Sequence, residues 1–244
     1  MDPQGAAAKV AAACEPATGL RIFHVTDFHN RREAFRTAAE LAKVLRPAFT
    51  ICTGDLSGIG GPLEKLLLKR WWRVPGPVIF APGNHDGAAT ISVLRKLGAT
   101  VLGRPAMRSE ARAKVWGYPD PNNSRLLFGP RYSSNKCRRA AESAADSFEQ
   151  MVDPFIVAVH NDEMVPRPLP DHCRLVLSGH WHRPRVTKEG ESILVRTGNA
   201  GGVNRFSSDI HMSLIDLNPR TYEVLDVRLI AIGKNELRVE KQAL

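Results

Sequence analysis

Five short polar clusters punctuate the chain: Asp27-Phe28-His29, Gly54-Asp55, Gly83-Asn84-His85-Asp86, His160 and Gly179-His180-Trp181-His182. Together they offer imidazole nitrogens with carboxylate and amide oxygens, and no thiolate. That mixture suits borderline divalent cations such as Zn, Mn, Fe, Co or Ni. In Asp27-x-His29 and His180-x-His182 the paired side chains point the same way if the backbone is extended. Each pair can then hold one metal centre or two adjacent ones, and a shared carboxylate would let two cations sit close together. Singly the clusters are ordinary: a DxH is common in loops, and an Asp after Gly often caps a helix. The ordered set of five, each in the same predicted context, carries the reading.

That context is the C-terminal end of a strand. Residues 21–26, 48–52, 77–81, 155–159 and 174–178 are short apolar runs that read as buried strands, and each is followed by one of the clusters. In open α/β sheets ligands bind along that edge. Between the first strands the spacing predicts helices over 31–46, 63–73 and 88–97. In the first of these Ala34, Phe35, Ala38, Ala42 and Leu45 share a face and Pro47 ends the run. The middle carries a predicted strand at 113–118 and helix at 138–151, and the end carries strands at 192–197, 210–216 and 221–231. Helices early and strands late predict two packed sheets with helices outside. Residues 1–18, alanine-rich and small, read as a disordered tail ahead of one domain over 19–244.

The 244 residues hold 34 Lys and Arg against 25 Asp and Glu, a formal charge of +9. Between Arg104 and Arg139 nine basic residues face only Glu110 and Asp120, a local +7. Such a stretch is either a solvated face or an attractor of phosphorylated ligands or polyanions. Four cysteines without a CxxC pair argue against a thiolate zinc site or a disulfide scaffold. No apolar run approaches the roughly 18 residues that span a bilayer, and Lys9 breaks the alanine-rich start as a signal peptide. The expected setting is cytoplasmic, away from membranes.

The ordered motifs DxH, GD, GNH(D/E), H and GHxH resemble those of the calcineurin-like metallophosphoesterase superfamily, from about Arg21 to His182. The resemblance implies an α/β fold, a four-layer α/β/β/α sandwich of two mixed sheets, with the later strands completing the second sheet. It also implies a two-metal hydrolytic site. Asp27, His29 and His182 would hold the first metal ion (Mn, Fe, Zn, Ni or Co), Asn84, His160 and His180 the second, and Asp55 would bridge them. His85 would contact the phosphate, as Asn84 does, and assist the leaving group, with Asp86 orienting His85. The implied reaction is attack of a hydroxide bridging the two metals on a phosphoester, expected to be a diester of a nucleotide or small organophosphate. A nuclease on the same chemistry is the alternative, which keeps nucleic acid as a second partner class, and a non-catalytic scaffold is a more distant one.

Departures narrow the branch. Leu56-Ser57-Gly58 follows Asp55 where protein Ser/Thr phosphatases resemble GDxVDRG, and the metal-bound tyrosine of purple acid phosphatases has no counterpart nearby. The closest likeness is to small bacterial-type phosphoesterases. Asn161 and Asp162 read as substrate contacts or as a loop cap, and Arg196 to Gly202 as a phosphate-approaching loop or a tight turn. His24, His172 and His211 are assigned no metal. Trp71 and Trp72 read as core or interface, and Trp181 as packed beside the metals.

Overall fold

The computed structural model describes residues 2–14, 19–58, 60–61, 63–103, 106–110, 113–123, 132–201 and 209–244. Two mixed sheets pack face to face with helices on both outer sides, the four-layer α/β/β/α arrangement.

In chain order the elements of the first half are α1 (Pro3–Ala13), β1 (Leu20–Val25), α2 (Arg32–Leu45), β2 (Phe49–Cys52), α3 (Glu64–Trp71), β3 (Val78–Phe80), α4 (Ala88–Lys96) and β4 (Thr100–Val101). They are followed by β5 (Ala106–Glu110), β6 (Ala113–Gly117), α5 (Ser134–Glu149), β7 (Phe155–Ala158) and β8 (Cys173–Ser178). The chain ends with β9 (Arg185–Glu189), β10 (Ser192–Arg196), β11 (Ile210–Leu217), β12 (Val224–Ile232) and β13 (Leu237–Lys241). The first sheet runs β13-β12-β11-β1-β2-β3-β4 and the second β5-β6-β7-β8-β10-β9. In the first, β1 to β4 are parallel; in the second, β6, β7, β8 and β10 are.

Strand alternation builds the layers. Ile22, Ile51 and Ile79 point between the sheets, where they meet Ile156, Leu175 and Leu177. Their neighbours Phe23, Val25, Cys52 and Phe80 point outward under the helices of the first half. On the far side Phe155, Val157 and Val176 pack with Phe148 of α5. Buried on both faces, these strands read as continuous apolar runs. Helix α2 buries Ala34, Phe35, Ala38, Ala42 and Leu45, the face expected from its spacing, and ends on Arg46 in the left-handed region (φ 47°).

Three expectations are corrected. The tail expected to be disordered forms α1. Asp2 Oδ1 accepts from the amides of Gln4 and Gly5 at 3.1 and 3.0 Å, Pro3 occupies the first turn, and alanine favours helix most. Its small residues Ala6 and Ala7, with Val10, are buried in the core cluster that holds the inner face of α2. Second, β11, β12 and β13 complete the first sheet rather than the second. β11 pairs antiparallel with β1, and Arg21 faces Asp216 across that pair through two hydrogen bonds of 2.8 and 2.7 Å. Third, the edge strands β9 and β13 stand outside the expected set, because they alternate with charges and half-exposed edges lack a continuous apolar run. Among the described residues no helix is long and apolar enough to cross a membrane.

Candidate metal centre

The loops after β1, β2, β3, β7 and β8 converge on one edge of the two sheets. Parallel pairing of β1 with β2 and β2 with β3 brings the first three side by side. Pairing of β7 with β8 does the same in the second sheet. Five of the eight described non-glycine residues with positive φ are Asp27, His29, Asp55, His180 and His182. Such backbone is uncommon outside glycine and concentrates where function requires an exact side-chain aim.

The side chains form a continuous cluster. Asp27 Oδ1 lies 3.1 Å from His182 Nε2 and 3.7 Å from His29 Nε2, and the two histidine Nε2 atoms are 3.3 Å apart. Asp55 Oδ2 lies 3.8 Å from His29 Nε2 and 3.2 Å from His160 Nε2. His160 Nε2 is in turn 3.3 Å from His180 Nδ1. Donor atoms of Asp27, His29 and His182, of His29, Asp55 and His85, and of Asp27, Asp55 and His160 each lie within 4.8 Å of one another. Next to Asn84, the His85 amide donates to Asp55 Oδ1 at 2.8 Å.

Supporting hydrogen bonds aim these groups. Asp27 Oδ2 accepts from Thr26 Oγ1 at 2.7 Å and from the His180 amide at 3.0 Å, which leaves Oδ1 for the cluster. Gly179 permits that approach: a Cβ there would sit 2.4 Å from Asp27 Oδ2 and 2.0 Å from Thr26 Oγ1. His160 Nδ1 donates to the Thr53 carbonyl at 2.7 Å, so its Nε2 faces Asp55. The ring of Tyr132 stacks on His180 at 4.2 Å.

The electrostatics match a site that binds cations. Burial would raise Asp27, but hydrogen bonds from His182 and His29 and the charge of His160 hold it well below the usual carboxylate range. Burial would also raise Asp55, and His160 outweighs it to keep the group low. Burial would lower His160, yet the Asp55 carboxylate holds it well above an ordinary histidine. His180 is depressed to about 4 by burial and by His160. Anionic carboxylates thus sit against imidazoles and stabilise positive charge beside them. Asn84 Oδ1 is buried with no hydrogen-bond partner among the described residues. A buried acceptor without a donor is costly, and a cation would satisfy it, so the residues present fit divalent metal.

Asp86 departs from its expected place. Its Oδ2 accepts from the amides of Asp55 and Gly83 at 2.6 and 2.9 Å, and its Oδ1 from those of Leu56 and Ser57 at 3.0 and 3.3 Å. These donors are buried and would otherwise lack partners, so the carboxylate turns into them and not toward the His85 ring. Burial and the charge of Asp55 push Asp86 up to about 7. It is the Gly58 carbonyl, 2.5 Å from His85 Nδ1, that orients His85.

The surrounding loops have definite partners as well. Asn161 caps the turn at 162–164 through the Glu163 amide and donates to Tyr132 Oη. Asp162 accepts from Trp181 Nε1 at 3.0 Å and from Arg196 at 2.6 Å. Trp181 stands edge-on to His180 but is 41% exposed, on the rim of the cluster. The Gly201 amide donates to the Asp27 carbonyl at 2.6 Å, which removes it from any role toward phosphate, and Gly202 lies outside the described residues. The basic stretch falls partly outside them too, with Arg104, Arg112, Arg125, Arg131 and the side chain of Arg108. Of the remainder, Lys114 pairs with Asp153, while Lys136, Arg138 and Arg139 are exposed on α5. The sequence reading missed Thr53, Gly58 and Tyr132. Thr53 and Gly58 flank the GD motif, a signal of position only, and Tyr132 has no local signal.

A family model for calcineurin-like phosphoesterases matches residues 20–184. Among solved structures, a protein of Thermus thermophilus superposes with a TM-score of 0.59 at 15% identity, over 88% of this chain and 99% of its own. A phosphodiesterase of archaeal origin gives 0.52 at 13%, over 87% and 99%. The NAD nucleotidase of Haemophilus influenzae gives 0.51 at 14%, over 94% of this chain and 54% of its own. At these identities the likeness is one of fold. No curated protein matches the chain.

Proposed function

The chain belongs to the calcineurin-like phosphoesterases, and from that premise we propose that it is a metal-dependent hydrolase of a phosphodiester, carried by a nucleotide or another small organophosphate. The observation that carries the reading is the position of Asp55, whose Oδ2 faces His29 on one side and His160 on the other. Asp27, His29 and His182 would hold one cation, Asn84, His160 and His180 a second, and Asp55 would touch both. The donor set takes Mn, Fe, Zn, Ni or Co. Bound there, two cations would supply acidification of water and positive charge against the phosphoryl oxygens.

The chain's own groups position and move protons. The Thr53 carbonyl holds the Nδ1 proton of His160, so that Nε2 is the nitrogen left toward Asp55 and a cation. The Gly58 carbonyl holds the Nδ1 proton of His85, which leaves Nε2 to act. In its doubly protonated form His85 gives the Nε2 proton to the departing alkoxide, a role typically worth ~10²–10⁴-fold. Asp86 contributes by bracing the backbone of Asp55 and Gly83 and does not touch substrate.

Among the described residues of the basic stretch, Lys136, Arg138 and Arg139 are exposed on α5 and Lys114 pairs with Asp153, and the nuclease stays the alternative reading. A scaffold would tolerate loss of donors, and every donor position of the motif set is retained. The test is to measure the metal content of protein purified without added metal, then assay matched aryl phosphomonoesters and phosphodiesters with Mn, Zn, Ni and Co. Diester turnover that His85→Asn abolishes while metal is retained supports the reading; no turnover of any ester with any metal overturns it.

A further inference from the structure

The group that orients His85 is the backbone carbonyl of Gly58. Gly58, Gly60 and Gly61 lie close in sequence, and glycine by itself restrains its backbone least, so neighbouring groups must hold it. Among the described residues, donors from Gly58, Gly61 and Asn30 converge on one buried carboxylate, that of Glu64 at the start of α3. Glu64 Oε1 accepts from the Gly58 amide at 3.0 Å and from Asn30 Nδ2, and Oε2 accepts from the Gly61 amide at 2.9 Å. Asn30 follows His29 and is tied to the same loop by its amide, which donates to the Leu56 carbonyl at 3.1 Å. Glu64 is largely buried for a glutamate, which needs such partners to sit there. Gly58 lies next in line: Glu64 holds its amide, and its carbonyl, in the following peptide unit, meets His85 Nδ1 at 2.5 Å.

We propose that Glu64 is a positioning residue for His85, acting through Gly58 to hold the imidazole proton on Nδ1 and to aim Nε2 at the leaving group. The proposal rests on the phosphodiesterase reading above. It assigns a catalytic consequence to a carboxylate that touches neither the metal cluster nor substrate. A residue that only kept the loop folded would slow all esters alike. A residue that places a proton donor matters in proportion to how much the leaving group needs the proton.

The experiment compares full-length protein with Glu64→Gln, an isosteric change that presents an NH2 group to a backbone donor. Aryl phosphodiesters from plain phenyl to p-nitrophenyl serve as probes. With metal content equal in both proteins, kcat for the phenyl ester should fall about 10-fold, a fraction of a general acid's full effect. For the p-nitrophenyl ester, whose leaving group needs little protonation, kcat should change less than about 2-fold, with KM unchanged for both. Histidine side-chain nitrogen NMR on zinc-loaded protein should show His85 protonated on Nδ1 in the parent and spread over both nitrogens in the variant. If Glu64→Gln fails to fold, Glu64→Asp, which keeps the charge and shortens the reach, carries the same comparison. Equal loss on both esters, no loss on either, or an unchanged His85 tautomer overturns the role of Glu64. A parent protein that turns over neither ester overturns the phosphodiesterase reading and this proposal with it.

Discussion

The carboxylate of Asp86 grips the backbone of Asp55: Oδ2 accepts from the Asp55 amide at 2.6 Å, and Asp55 Oδ1 accepts from the His85 amide at 2.8 Å. The two loops that end β2 and β3 are thereby clasped from both sides by a pair of aspartates. One faces the cluster of imidazoles, and the other faces backbone amides and the Ser57 hydroxyl.

Asp86→Asn turns an acceptor of four amides into a group whose NH2 half cannot accept. The variant should lose about 1–3 kcal/mol of stability through the donors left unpaired. Urea denaturation monitored by tryptophan fluorescence measures this. A variant as stable as the parent would show that the brace is not energetic.

Asp55→Ala removes the carboxylate whose Oδ2 lies 3.8 Å from His29 Nε2 and 3.2 Å from His160 Nε2. Protein purified from metal-supplemented medium should then carry neither cation, where the parent should carry a pair. Elemental analysis of both proteins decides it, and retention of a full pair would contradict the bridging position.

His24 sits in the layer between the sheets, with Nε2 2.9 Å from Thr53 Oγ1 and Nδ1 2.5 Å from Thr197 Oγ1. Burial depresses it to about 3, against 6.5 for an ordinary histidine, with the charge of Asp27 opposing in part. Between those values the unfolded chain binds a proton that the folded one refuses. The neutral ring therefore contributes stability that is present above about pH 6.5 and lost as pH falls toward 3, with a slope up to ~1.4 kcal/mol per pH unit. Denaturation curves at pH 7 and pH 5 with EDTA should show this acid loss in the parent. His24→Gln, which keeps polar partners without titrating, should lose less over the same interval. Identical losses would refute the assignment.

Val10 is wholly buried on the face of α1 that packs in the helix-side core. Val10→Asp places an unpaired charge there and should cost about 2–4 kcal/mol, or detach α1 altogether. Limited proteolysis distinguishes the outcomes: cleavage within residues 2–14 of the variant, with the parent resistant, marks a detached helix. An equally resistant and equally stable variant would mean that the docking of α1 carries no stability.

The donor types, their order and their place at strand ends were legible in the chain itself. Each signal is local: a short apolar run, a polar cluster after it, a helix that stops at proline. What no local pattern holds is the meeting of distant groups. His29 lies beside His182, 153 positions away, only because β1 and β8 end at the same edge of two sheets in contact. The side of the sheet on which β11 adds, the burial of α1 and the turn of Asp86 away from His85 are all outcomes of competition among alternatives equal in sequence. Arg21 had to find Asp216, Ala6 and Ala7 had to find a helical surface, and four buried amides had to find an acceptor. A chain settles such choices only when its parts are brought together, because burial and unpaired polar groups acquire their cost in the folded interior.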